Sequence, residues 1–242
     1  MRLRIGARVF EPRLPATLAT AVLFAALLSL GFWQLDRMRQ KQALFAAFAA
    51  GSQSTVDLAS LPPNAGARYQ HARVFGRYDP QHQILLDNMT HEGMPGYRVL
   101  TPLRFGAEHT LLVDRGWIAL GPSRQQIPDI AVGANDRSVA GRLDDLPRAG
   151  IHLAAVTNDS AGWPRVMSYP NMPEVMAVMA REIYPYVLLL DAGQPDGFVR
   201  DWRPATFPPE RHLGYAVTWF GLALVLLIFY AVSQTHRLQG GR

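Results

Sequence analysis

A histidine stands at the mouth of a segment suited to lipid. The stretch RHLGYAVTWFG, residues 211–221, runs straight into LALVLLIFYAV, which carries no charge. On a helix His212, Tyr215 and Trp219 fall at i, i+3 and i+7 and share a face. Arg211 and Arg203 flank the histidine, and a helix N-terminus favours anions. An imidazole at an apolar–polar boundary, with aromatic faces below and guanidinia above, suits an iron porphyrin. Iron would take His212, the macrocycle would lie on Trp or Tyr, and the propionates would meet Arg. The same residues also suit a plain anchor. Trp and Tyr gather at any membrane interface, and a histidine at the water line can bind nothing.

A matching set lies far upstream. Trp33, Gln34 and Arg37 close the apolar run LPATLATAVLFAALLSLGFWQL and follow on from it. If the first helix runs outward and the second inward, both sets reach one interfacial layer. Small residues give the helices a means to pack. Thr17, Ala21, Ala25 and Ser29 recur at every fourth position on the first, and Gly214, Thr218 and Gly221 line the second. The first helix is expected to continue past Leu35 through DRMRQKQALFAAFAA, with Gln34, Arg37 and Lys41 on one face.

The runs 14–35 and 213–232 each have the roughly 20 apolar residues that about 30 Å of hydrocarbon requires. Arg2, Arg4, Arg8 and Arg13 give the first run the look of a signal peptide. It exceeds the usual h-region of about 7–15 residues, and the small-residue site AAFAAG lies well beyond it, so an uncleaved anchor is expected. The net charge of +5 sits in the tails, because residues 36–211 hold 18 basic and 18 acidic side chains. That pattern follows the positive-inside rule rather than a nucleic-acid footprint, although Arg37, Arg39 and Lys41 lie on the outer side. The chain has no cysteine, which excludes thiolate metal sites, thiol catalysis and disulfides. The organisation expected is a cytoplasmic tail (1–13), a transmembrane helix (14–35), an extracytoplasmic β-rich domain (36–211), a second transmembrane helix (212–232) and a cytoplasmic tail (233–242). A bacterial inner membrane, with the domain periplasmic, is the simplest setting.

The middle reads as strands: 71–79, 83–88, 96–105, 109–120, 137–145 and 186–191, short, apolar-rich and bounded by Gly, Pro, Asn or Asp. One helix interrupts them, NMPEVMAVMAREI, with Asn171 as N-cap and Glu174 three residues on. The segment 151–170 reads as an irregular loop, and 194–211 as a Pro-rich lead into the second span. The fold class expected is an α+β membrane protein. Two transmembrane helices flank an antiparallel sheet or small barrel with one short helix.

Motifs of soluble enzymes are missing: no G-x-S-x-G, no G-x-G-x-x-G, no P-loop, and no second histidine after His91-Glu92 at zinc-protease spacing. Asp144 and Asp145 are adjacent, so they point apart and read as a solvated pair. Met172, Met176 and Met179 lie at helical spacing; core filling is the favoured reading over a Cu(I) thioether site. In LLVDRGWIAL, Asp114 and Arg115 face opposite ways, and Arg115 is either a structural residue or a guanidinium aimed at an anion.

The motifs LGFWQLDRMRQK (30–41), FGRY (75–78), LLDN (85–88), GYRVLTPL (96–103), LLVDRGWI (111–118) and HLGYAVTWFGLAL (212–224) come in one order across nearly the whole chain. In that set the chain resembles the Surfeit-locus cytochrome oxidase assembly factors, known as Shy in yeast. The resemblance implies a non-enzymatic role in building heme–copper terminal oxidases, aiding delivery or insertion of heme a into the catalytic subunit. It implies that subunit as partner, with the heme a synthesis machinery as a further one, and no nucleic acid. His212 matches the family's heme-associated histidine and would be the iron ligand. Trp33, Gln34 and Arg37 match its Trp-Gln and Arg, and Arg115, Gly116 and Trp117 its Arg-Gly-Trp strand. Tyr215, Trp219 and Trp33 would shape the pocket, with Arg37 and Arg115 toward propionates or the partner. Glu210 and Arg211 stand where members often carry asparagines. Three other classes compete with this one. A heme-independent scaffold would use the same residues against protein; an anchored periplasmic enzyme lacks motifs; a sensor lacks room after the second span for an output domain.

Overall fold

The computed structural model describes residues 3–5, 8–51, 53–61, 66–106, 109–124, 126–148, 162–202 and 207–237. In chain order its elements are β1 (Leu3–Ile5), β2 (Arg8–Phe10), α1 (Leu14–Ala50), β3 (Thr55–Asp57), a 3-10 turn (Leu58–Ser60), β4 (His71–Tyr78), β5 (Ile84–His91), β6 (Met94–Phe105), β7 (His109–Ala119), β8 (Asp136–Asp144), β9 (Arg165–Met167), α2 (Met172–Met179), β10 (Val187–Leu190), α3 (Pro209–Ser233) and β11 (Thr235–Arg237). They fall into two units, Met1–Ala46 with Pro204–Arg242, and Ala47–Arg203.

In the second unit the strands order β3-β4-β8-β10-β7-β6-β5-β9. The twelve-residue β6 gives its first half to β5 and its end to β4, through Arg77↔Arg104 and Tyr78↔Leu103. That pairing closes β4, β8, β10, β7 and β6 into a ring, so the small-barrel expectation holds. The ring is not wholly antiparallel, because β10 runs parallel to β7. Period-2 alternation fills both faces. Leu111 and Val113 of β7 join Leu188 and Leu190 of β10 in one cluster. Leu112, Val187 and Leu189 turn the other way and pack with Val175 and Met179 of α2. Burial on both faces is why these strands read as continuous apolar runs rather than alternating ones.

The expected helix forms with its cap. Asn171 accepts from the Glu174 N–H and Glu174 accepts from the Asn171 N–H, a reciprocal capping box. Met179 is buried, and Met172 and Met176 pack against the same cluster, so the methionine stripe is core. Asp144 and Asp145 both pair with Arg68. The 151–170 loop is interrupted by β9, which pairs parallel with β5; residues 149–161 lie outside the described residues.

The Asp-Arg-Gly-Trp run is a tether. Asp114 is fully buried, pairs with Arg98 and accepts from the N–H of Gly116 at 3.0 Å. Burial pushes its carboxyl up, and Arg98 and that N–H pull it back. Gly116 sits at φ 109°, and a Cβ there would lie 2.6 Å from the Val199 carbonyl oxygen. Trp117 bridges Val199 and donates its indole N–H to the Met89 carbonyl. The chain at 196–199 is thereby laid against β7.

In the first unit α1 and α3 are each long and apolar enough to cross a membrane. At 37 residues α1 is about 55 Å long, more than a bilayer core requires, as its expected continuation past Leu35 implies. The tails are not loose ends. β1, β2 and β11 form a three-stranded antiparallel sheet, with Phe10 opposite Thr235 and Arg8 opposite Arg237. The Glu11 N–H donates to the Gln234 carbonyl, and the Arg13 N–H to the Gln234 side chain.

Candidate functional site

The helix pair is antiparallel, as its contacts show: Thr17 with Tyr230 at 2.5 Å between hydroxyls, Gly31 with Phe220, and Gln34 with His212. Close approach comes at Gly31, where an added Cβ would lie 2.4 Å from Phe220 Cε1. Ala216 and Ala223 are the small buried residues on α3. Of the expected ridges, Thr17 takes part in this contact and the rest do not. Ala21, Ala25, Ser29, Gly214, Thr218 and Gly221 are all exposed, and nothing lies within 4 Å of a Cβ built at Gly214 or Gly221. Ser29 and Thr218 satisfy themselves on the carbonyls of Ala25 and Gly214, so neither needs a partner; Thr17 bonds the Arg13 carbonyl in the same way and reaches Tyr230 as well. Gln34, His212 and Tyr230 have no such internal solution and turn toward one another's helix.

Gln34 is 9 % exposed, and its Oε1 lies 2.8 Å from His212 Nδ1 across 178 residues of sequence. His212 is half-buried. Among the described residues nothing bonds its Nε2. Trp219 is half-buried, whereas Tyr215 is 53 % exposed, so the expected single face of His212, Tyr215 and Trp219 splits. Arg37 likewise leaves the Gln34 face. It is exposed, stacks 5.6 Å from the Trp33 ring and donates to Gln40 at 2.9 Å. Arg211 stacks on Phe207, and Arg203 lies outside the described residues.

Arg115 belongs to the sheet unit and is 2 % exposed. Its guanidinium donates to Gln83 Oε1, to the carbonyls of Ile130, Ala131 and Asp196, and stacks on Phe198. Of the two roles read for it, the structural one accounts for every one of these contacts. Reasoning from sequence missed Gly31, Phe220 and Tyr230. The signal available was a lone glycine in the outer half of an apolar helix.

The site pairs an amide and an imidazole between two apolar helices, with aromatic rings and a guanidinium at its border. A family model described as the SURF1 family matches residues 21–224, most of the chain. The chain belongs to the SURF1 family. SURF1-like proteins of Rickettsia conorii and Rickettsia felis are 27 % and 25 % identical to it, over 88 % and 90 % of this chain and 88 % and 96 % of theirs. One from Monosiga brevicollis is 27 % identical over 83 % of this chain and 80 % of its own. SURF1 is a family of oxidase assembly factors rather than of enzymes. Its matched span takes in Gln34, His212 and the Asp-Arg-Gly-Trp tether together.

Proposed function

We propose that this chain assists delivery of heme a to the catalytic subunit of a heme–copper terminal oxidase, from the inner membrane of a bacterium. The observation that carries the reading is the His212 ring, hydrogen-bonded at Nδ1 and, among the described residues, unbonded at Nε2, at the end of an apolar helix. That donor set fits a heme. His212 would hold the iron, Trp219 and Trp33 offer aromatic faces, Tyr215 lies on the outward side, and Arg37 offers a cation to a propionate. A bound heme would supply an iron able to accept the His212 imidazole; the chain's part would be to bind, shield and release it. A single neutral ligand suits a carrier, which must not outcompete its client. The tail charges support an orientation with both termini cytoplasmic and the sheet unit periplasmic.

The second reading is a heme-independent scaffold that holds oxidase subunits during assembly. The outward small-residue ridges, Ala21 with Ala25 and Ser29, and Gly214 with Thr218 and Gly221, favour it, because such ridges suit another protein's helix. An absorption spectrum with pyridine hemochrome analysis separates the two. The protein is purified in mild detergent from a host that makes heme a, beside His212→Ala. A heme a signal in the parent that collapses in the variant is expected. No heme in either, with oxidase subunits still copurifying, would establish the scaffold instead.

A further inference from the structure

We infer that Gln34 is a positioning residue that fixes the tautomer of His212, leaving the Nε2 lone pair as the chain's donor to a metalloporphyrin iron. The iron rests on the proposed heme reading; the tautomer does not. A neutral imidazole carries one proton, on one of two nitrogens, and the hydrogen bond made by one decides what the other can do. Here Nδ1 faces the Gln34 side-chain oxygen at 2.8 Å. That oxygen is an acceptor only, on a side chain 9 % exposed, in a helix of apolar neighbours. With the proton on Nε2, two lone pairs would oppose each other at hydrogen-bond distance, and a buried amide oxygen would lack a donor. With the proton on Nδ1, both are satisfied and Nε2 is free to ligate. Histidine in water prefers the opposite tautomer, so this contact reverses the default. The distance is set by the packing below it: Gly31, one turn before Gln34, admits the Phe220 ring, and Ala216 lies one turn after His212. The arrangement supplies to a histidine ligand the outer hydrogen bond that metal-bound imidazoles generally have.

The test uses the full chain in detergent micelles, labelled with nitrogen-15 histidine, at a pH above the ordinary histidine range. The His212 signals are those missing from His212→Asn. A protonated Nδ1 and an unprotonated Nε2 are expected in the parent, with a shift toward the opposite tautomer in Gln34→Leu at unchanged helicity. A parent with its proton on Nε2 overturns the inference, because the amide would then be donating to Nδ1. Hemin titration gives the second readout. Gln34→Leu is expected to lose about 10–100-fold in hemin affinity. Gln34→Glu is expected to retain binding and to lower the reduction potential, since a carboxylate makes the imidazole a stronger donor. Hemin binding and potential that ignore both Gln34 variants overturn the inference. The expected tautomer with no hemin uptake by the parent upholds the Gln34 assignment and overturns the heme reading.

Discussion

Arg115 and Asp79 show how buried charge is managed in the sheet unit. Arg115 is surrounded by neutral acceptors, the Gln83 amide and three backbone carbonyls; without it the Ala131 and Asp196 carbonyls lose this donor, while Gln83 keeps Thr101 and Ile130 keeps Gln83. Arg115→Met is therefore expected to destabilise the sheet unit by more than about 3 kcal/mol. Denaturant unfolding followed by tryptophan fluorescence measures this, and the heme content of protein that remains folded should not change. Asp79 is a buried carboxylate. Burial pushes its pKa up, but hydrogen bonds from His82 at 2.8 Å and Arg104 at 2.7 Å outweigh that and hold it at about 2. A carboxyl depressed on folding stabilises above its unfolded value near 3.8 and loses that contribution as pH falls toward 2. The contribution is about 2 kcal/mol at neutral pH. The melting temperature of the parent should fall across this window, and that of Asp79→Asn should start lower and fall less.

At the scale of elements, the sequence announces strands well and helix faces poorly. β4 to β8 and β10 stand out because their apolar residues recur with period 2 or fill both faces. β3 and β9 were not legible. Each is three residues long and exists only through a parallel partner distant in sequence, Thr55 on His71 and Arg165 on Ile84. The tail sheet is antiparallel, but its strands are just as short, and β11 finds β2 only from the far end of the chain. In the helices, Gln34 and His212 were legible as chemistry, but the contact joining them was not. Small residues occur on every side of a lipid helix, and only their burial tells which of them matter. Gly31 does on the first helix, Ala216 and Ala223 on the second. Gly31→Leu should push Phe220 aside, part the helices and weaken the Gln34–His212 bond, at about 1–3 kcal/mol of overpacking. The His212 nitrogen shifts report it. Phe220→Ala in the same chain should restore them in part, because it vacates the space the leucine needs.

At the scale of the molecule, the three apolar clusters all lie between Val56 and Trp202, inside the sheet unit. Residues 47–203, expressed alone, are expected to be soluble and to unfold in one cooperative transition, read by calorimetry, while binding no hemin. The helical unit has a different kind of closure. β2 and β11 are neighbours in one sheet, yet more than 220 residues of chain separate them. At about 5–20 residues per second of synthesis, the N-terminal strand waits on the order of ten seconds or more for its partner. If both helices span a membrane as proposed, Phe10 must stay through that interval on the side where β11 will emerge. In the proposed two-span orientation the tail sheet would act as a record of biosynthesis, forming only once the second span has brought β11 to the side that holds β2. A nascent chain with that span inverted would be left with an open strand edge for quality control to find.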